Sequence, residues 1–159
     1  MNENNLEKII NNIVGDAIVK EVMSLKLAVK LIETVEEKAA EKGLAVVVAV
    51  SDASGRPIAV HCMDGAYHGS FDVAVNKTYT STAFQMSTAK LSRLCQPGQD
   101  LYGLQFSNNG KVMILGGGEP LMVGKTMIGA LGVSGGSAQE DSDLAAYGAS
   151  ALKEVIKCL

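Results

Sequence analysis

His61 and His68 are the only two histidines in the chain, and with Cys62 they fall inside one short stretch, Val60-His61-Cys62-Met63-Asp64-Gly65-Ala66-Tyr67-His68-Gly69. Imidazole, thiol and thioether are the side chains that bind transition metals or carry protons near neutral pH. Their spacing narrows the chemistry. On a strand, successive side chains point to opposite faces, so His61 and Cys62 cannot share a metal without a bulge, while Ala59, His61 and Met63 share one face. His68 lies beyond a turn and can fold back. Two imidazoles with no third ligand at suitable spacing make a poor zinc set. They suit a haem iron, which takes only one or two axial donors and an apolar slot. The plainer alternative is a hydrogen-bonded histidine at a strand end and a second one in a loop.

Other stretches carry weaker suggestions. Gly132-Val133-Ser134-Gly135-Gly136 matches the G-x-S-x-G pattern of a hydrolase elbow. That pattern needs a histidine after the serine, and none follows Ser134. The alternative is a glycine-rich turn opening a helix, with the Gly135 and Gly136 amides offered to an anion such as a propionate or phosphate. Asp64 and Lys77 are candidate catalytic groups for an enzyme acting on a small acid, together with His68 and those amides. A buried Lys77 near Asp64 would show a perturbed pKa; a surface helix lysine is the alternative. Gly116-Gly117-Gly118 is not followed by a helix, and Val123-Gly124-Lys125-Thr126 lacks the upstream glycine spacing of a phosphate loop. The latter reads as a hairpin turn.

These residues need a scaffold, and 159 residues with 47% hydrophobic content suit one domain with its own core. The net charge is −3, with no basic block, which argues against nucleic acid or an anionic membrane as partner. Cys62, Cys95 and Cys158 are scattered and odd in number, which fits a reducing cytoplasm. The longest apolar run, Leu44 to Val50, falls far short of the roughly 20 residues a membrane span needs. The N-terminal stretch lacks a secretory pattern.

Apolar residues at Leu6, Ile9, Ile10, Ile13, Val14, Ala17 and Ile18 predict an amphipathic helix within residues 1–22, ahead of a domain at 23–159. A second helix runs from Ser24 to Lys42, capped by Ser24 and ended by Gly43. Leu44 to Val50 reads as a buried strand, Asp52 to Gly55 as a turn, and Arg56 to Met63 as its return strand. Ser70 opens a helix reaching about Met86. Leu94 to Gly110 is irregular, with a short strand at Leu104–Ser107. Strands follow at Lys111–Gly117 and Met127–Ser134. Ser137 and Glu140 form a capping box for a last helix reaching about Lys157. Hairpins dominate and no βαβ repeat is evident, so the fold class is α+β with an antiparallel sheet.

Met63–Ala66 (MDGA), Ser107–Gly110 (SNNG), Gly116–Leu121 (GGGEPL) and Gly132–Gly136 (GVSGG) stand in fixed order. With the stretches around them they resemble the GlcG/HbpS family, closest to stand-alone relatives of the PduO C-terminal domain. The resemblance covers about Ser24 to Ile156. It implies a profilin-like fold with a five-stranded antiparallel sheet flanked by helices in α/β/α layers. It implies a homo-oligomer, tetramer to octamer, and binding of haem or a corrinoid-related molecule. The adenosyltransferase activity associated with the PduO name belongs to a separate N-terminal domain, expected to be absent here, so it is not carried over. Some haem-binding relatives use a histidine on the helix before the first strand. The helix at Ser24–Lys42 has none, which leaves His61, His68 or the weaker donors Met63 and Tyr67.

Residues 1–22 also resemble the encapsulation peptides of bacterial microcompartment cargo, short amphipathic helices that dock on shell proteins. The alternative is a helix packing on the oligomer's own surface. Three functions follow as expectations. The first is a haem- or tetrapyrrole-binding accessory protein in the cytoplasm or a microcompartment lumen, with a cofactor-supply or redox role. The second is a cofactor-free assembly module, and the third an enzyme acting on a small acid or anion.

Overall fold

The structure, a computed structural model, describes residues 22–159; the helix expected within residues 1–22 lies outside them except for its last residue. The first described helix, α1 (Leu25–Glu41), starts where Ser24 Oγ accepts the Leu27 N–H at 3.2 Å. It ends at Gly43, whose φ of 69° is the left-handed geometry a helix terminus favours in glycine. Leu27, Ala28, Leu31, Ile32, Val35 and Ala39 form its buried stripe, as their period requires. A hairpin follows, β1 (Val47–Asp52) and β2 (Pro57–Cys62). Its turn is held by the Asp52 carboxylate, which accepts the N–H groups of Ser54 and Arg56. Then come α2 (Ser70–Phe84), α3 (Thr88–Leu94), β3 (Gly118–Val123), β4 (Thr126–Ser134) and α4 (Ala138–Lys157).

The sheet order is β2-β1-β4-β3, and every neighbouring pair is antiparallel. Alternation along β1 assigns the layers. Val48 and Val50 join the main core with the apolar stripes of α1 and α4. Val47 and Ala49 pack against Ala74 of α2 on the other face. The α2 side is closely fitted: a Cβ at Gly132 would collide with the Ala74 carbonyl oxygen and come within 3.0 Å of Thr78 Cγ2. Glycine there is a packing requirement of the helix above it.

The α+β reading with an antiparallel sheet holds, but among the described residues the sheet has four strands, not five. Leu104–Phe106 is a 3-10 turn rather than a strand. The strand expected at Lys111–Gly117 starts only at Gly118. Val112 and Ile114 instead bury against Leu91 and Cys95 in a small second core. A short apolar run does not distinguish a strand from a core-facing loop, and α3, which supplies Leu91, has too few turns to show a period. Helix α2 also begins differently. Gly69 occupies the cap position without a side-chain bond, and Ser70 lies inside the helix.

Candidate functional site

His61 sits on β2 opposite Val48, so its side chain points to the α1/α4 face. There its Nδ1 lies 3.3 Å from both carboxylate oxygens of Glu36 on α1. An ionised carboxylate only accepts, so this contact favours a proton on Nδ1, and in the neutral ring that tautomer keeps its lone pair on Nε2. The imidazole is 36% exposed and the Glu36 side chain 24%. Ala59 and Met63 share this face and pack against the main core, as alternation predicts. Cys62, opposite Val47, points the other way and is exposed.

His61 and His68 lie on either side of a turn. The turn from Asp64 to Gly69 carries the chain around the sheet end to α2, on the opposite face, and His68 is exposed just before that helix. Its carbonyl accepts the Phe71 N–H at 3.4 Å. Tyr67 is 73% and Phe71 46% exposed beside it. His61 thus stands on β2 and His68 in the loop that leads to α2. Among the described residues, no group of three or more His, Cys, Asp or Glu converges to hold a metal ion.

Lys77 is fully buried, not a surface helix lysine. Its Nζ donates to the Val133 carbonyl at 2.6 Å and to Asp141 Oδ2 at 2.8 Å. Its carboxylate partner is thus Asp141 of α4; Asp64, the partner considered from sequence, is exposed in the turn after β2. Burial pushes the Lys77 ammonium below its ordinary value, opposed by the hydrogen bond and charge of Asp141.

The same carboxylate occupies the anion cradle expected at the GVSGG turn. Asp141 Oδ1 accepts the Gly136 N–H at 2.9 Å, and Glu140 accepts the Ser137 N–H at 2.8 Å. The Gly136 amide is already committed within the chain, so it is not free for an external anion. Ser134 is buried at the end of β4 and is not presented as an exposed nucleophile. Gly117 closes over the ion pair. A Cβ there would meet Asp141 Cβ at 2.7 Å and Lys77 Nζ at 2.8 Å, and the residue has φ 114°. Of the glycines at 116–118 and 132–136, Gly117 packs on the buried lysine itself and Gly136 on its partner Asp141, while Gly118 and Gly132 fit against the backbone of α2. The roles of Glu36 and Asp141 were not visible in the sequence, because their partners stand 25 and 64 positions away.

Comparison with known proteins adds relatives to this geometry. The family model described as haem degrading protein HbpS-like matches residues 23–150. An uncharacterised 15.0 kDa protein from the dhaT–dhaS intergenic region of Citrobacter freundii is 39% identical over 123 residues, covering 77% of this chain and 87% of that one. The corrinoid adenosyltransferase PduO of Salmonella typhimurium is 39% identical over 109 residues, covering 69% of this chain but only 32% of that protein. Among solved structures, Klebsiella pneumoniae protein ORFY superposes with a TM-score of 0.80 at 36% identity, covering 82% of this chain and 90% of that one. A PduOC–haem complex follows with a TM-score of 0.78 at 35% identity, covering 82% and 94%.

Proposed function

The chain belongs to the HbpS-like family, and from that premise we propose that it is a haem-binding protein in which His61 supplies an axial nitrogen. The observation that carries this reading is the Glu36 carboxylate on His61 Nδ1. Metal-ligating histidines characteristically give their second ring N–H to such an acceptor. The position supports it too. Relatives that use a histidine on the helix before the first strand place it on the helix equivalent to α1. Here α1 has none, and His61 faces α1 from β2. The donor set fits haem: one imidazole with Nε2 available, on a face carrying Ala59 and Met63. Haem, when bound, supplies a redox-active iron. His61 would hold it, and Glu36 would hold His61.

A second reading is favoured by one observation, the exposed Tyr67 and Phe71 beside His68. Aromatic side chains left in water mark places where a flat apolar partner docks. Haemin titration, followed as Soret absorbance, separates the readings. A saturable band lost in His61→Ala and kept in His68→Ala supports His61. The converse assigns His68. No shifted band in the unaltered protein overturns haem binding.

The wider setting is part of the same proposal: a homo-oligomer, tetramer to octamer, in the cytoplasm or a microcompartment lumen, with residues 1–20 docking on shell proteins. Likeness to PduO supports the setting. The chain spans about a third of that enzyme, and no adenosyltransferase activity is assigned. An enzyme acting on a small acid is less supported, because Lys77 and the Gly136 amide are both held by Asp141.

A further inference from the structure

We infer that Glu36 is the positioning residue of the iron site, selecting the donor nitrogen of His61 and strengthening it; this rests on the haem reading above. An isolated neutral imidazole exchanges its proton between Nδ1 and Nε2, so half-committed rings present a blocked nitrogen part of the time. A carboxylate has only lone pairs to offer. With both Glu36 oxygens 3.3 Å from Nδ1, the proton stays on Nδ1 and Nε2 keeps its lone pair. Nε2 is the ring nitrogen that Glu36 does not contact, and the His61 side chain is 36% exposed.

The backbone makes the pairing durable. Glu36 follows Val35, which is fully buried in the α1 stripe, and His61 is held in register opposite the buried Val48. Neither residue can drift without disturbing the core. A carboxylate drawing on Nδ1–H also raises the electron density of the ring, which favours ferric over ferrous iron. Glu36 therefore acts on ligand identity, affinity and redox poise without touching the iron.

The test uses the full chain, apo and loaded with haemin, with Glu36→Gln and Glu36→Ala. Nitrogen-15 NMR of the apo protein reads the tautomer directly. The unaltered protein should show His61 protonated on Nδ1, with a shift toward the Nε2–H form in Glu36→Ala. Haemin affinity should fall about 10- to 100-fold in Glu36→Ala. The midpoint potential of the bound iron should rise in Glu36→Gln, which keeps the shape and loses the charge. Circular dichroism should be unchanged in both, which separates positioning from folding. A haemin complex whose potential, affinity and tautomer ignore both substitutions overturns the role of Glu36 and leaves haem binding standing. Failure of the unaltered protein to bind haemin overturns both.

Discussion

Lys77 Nζ lies 2.8 Å from Asp141 Oδ2, joining α2 to α4 across 64 positions of the chain, with side-chain exposures of 1% and 5%. The Val133 carbonyl and the Gly136 N–H complete the arrangement, so the two charges meet their remaining partners on the backbone of β4 and the turn after it. Desolvating an ion pair roughly offsets its attraction, but stranding one charge does not. The pair therefore specifies how two helices on opposite sides of the sheet meet around its end.

Breaking the pair from either side should be severe and removing both charges mild. Lys77→Ala or Asp141→Ala is expected to lower stability by about 3–5 kcal/mol in urea unfolding. Lys77→Met combined with Asp141→Leu should recover most of that loss. Single variants as stable as the unaltered protein would contradict this account.

Gly132→Ala should destabilise by about 1–3 kcal/mol or more, since the added methyl meets the Ala74 carbonyl and α2 must lift from the sheet. Gly69→Ala, where nothing lies within 4 Å, should stay within about 0.5 kcal/mol. Thermal melts of the two alanine variants would rank them; equal melting points argue against the close fit.

Glu119 on β3 is half-buried, and desolvation raises its carboxyl above the ordinary value of 4.5. A raised folded value means that the stabilising contribution is present below 4.5 and is lost as pH rises through the folded value. At neutral pH the buried charge is a cost. Glu119→Gln should therefore raise the melting temperature at pH 7, with the advantage disappearing near pH 4. An advantage that is the same at both pH values would exclude titration as its cause.

Deletion of residues 1–20 should leave the fold of the remaining domain intact by circular dichroism, because the described core residues, Met23 to Val155, pack on one another. Co-sedimentation with microcompartment shell proteins should be lost. Truncated protein that still co-sediments would show that the shell contact, if any, lies in the domain.

Much of the scaffold was legible because it is local. The stripe of α1, its Ser24 cap, the Ser137–Glu140 capping box and the shared face of Ala59, His61 and Met63 all follow from periods of 3.6 and 2. The strand expected at Lys111–Gly117 is absent because Val112 and Ile114 are apolar for a satellite core, not for a strand. The family motifs were recognisable, but their glycines were read as turns or as an anion cradle. Gly65 and Gly110 are turn glycines with open space around them, whereas Gly117, Gly118 and Gly132 are close-packing positions.

The sequence by itself determined which residues could lie on one element and face one way, since backbone geometry sets that within a few residues. Which groups would meet was decided by tertiary structure alone. Glu36 reaches His61, and Asp141 rather than Asp64 reaches Lys77, only because the sheet order β2-β1-β4-β3 carries helices across both faces. Charge pairing is settled by distance in the folded chain and by the low dielectric around it, and neither is encoded in local spacing.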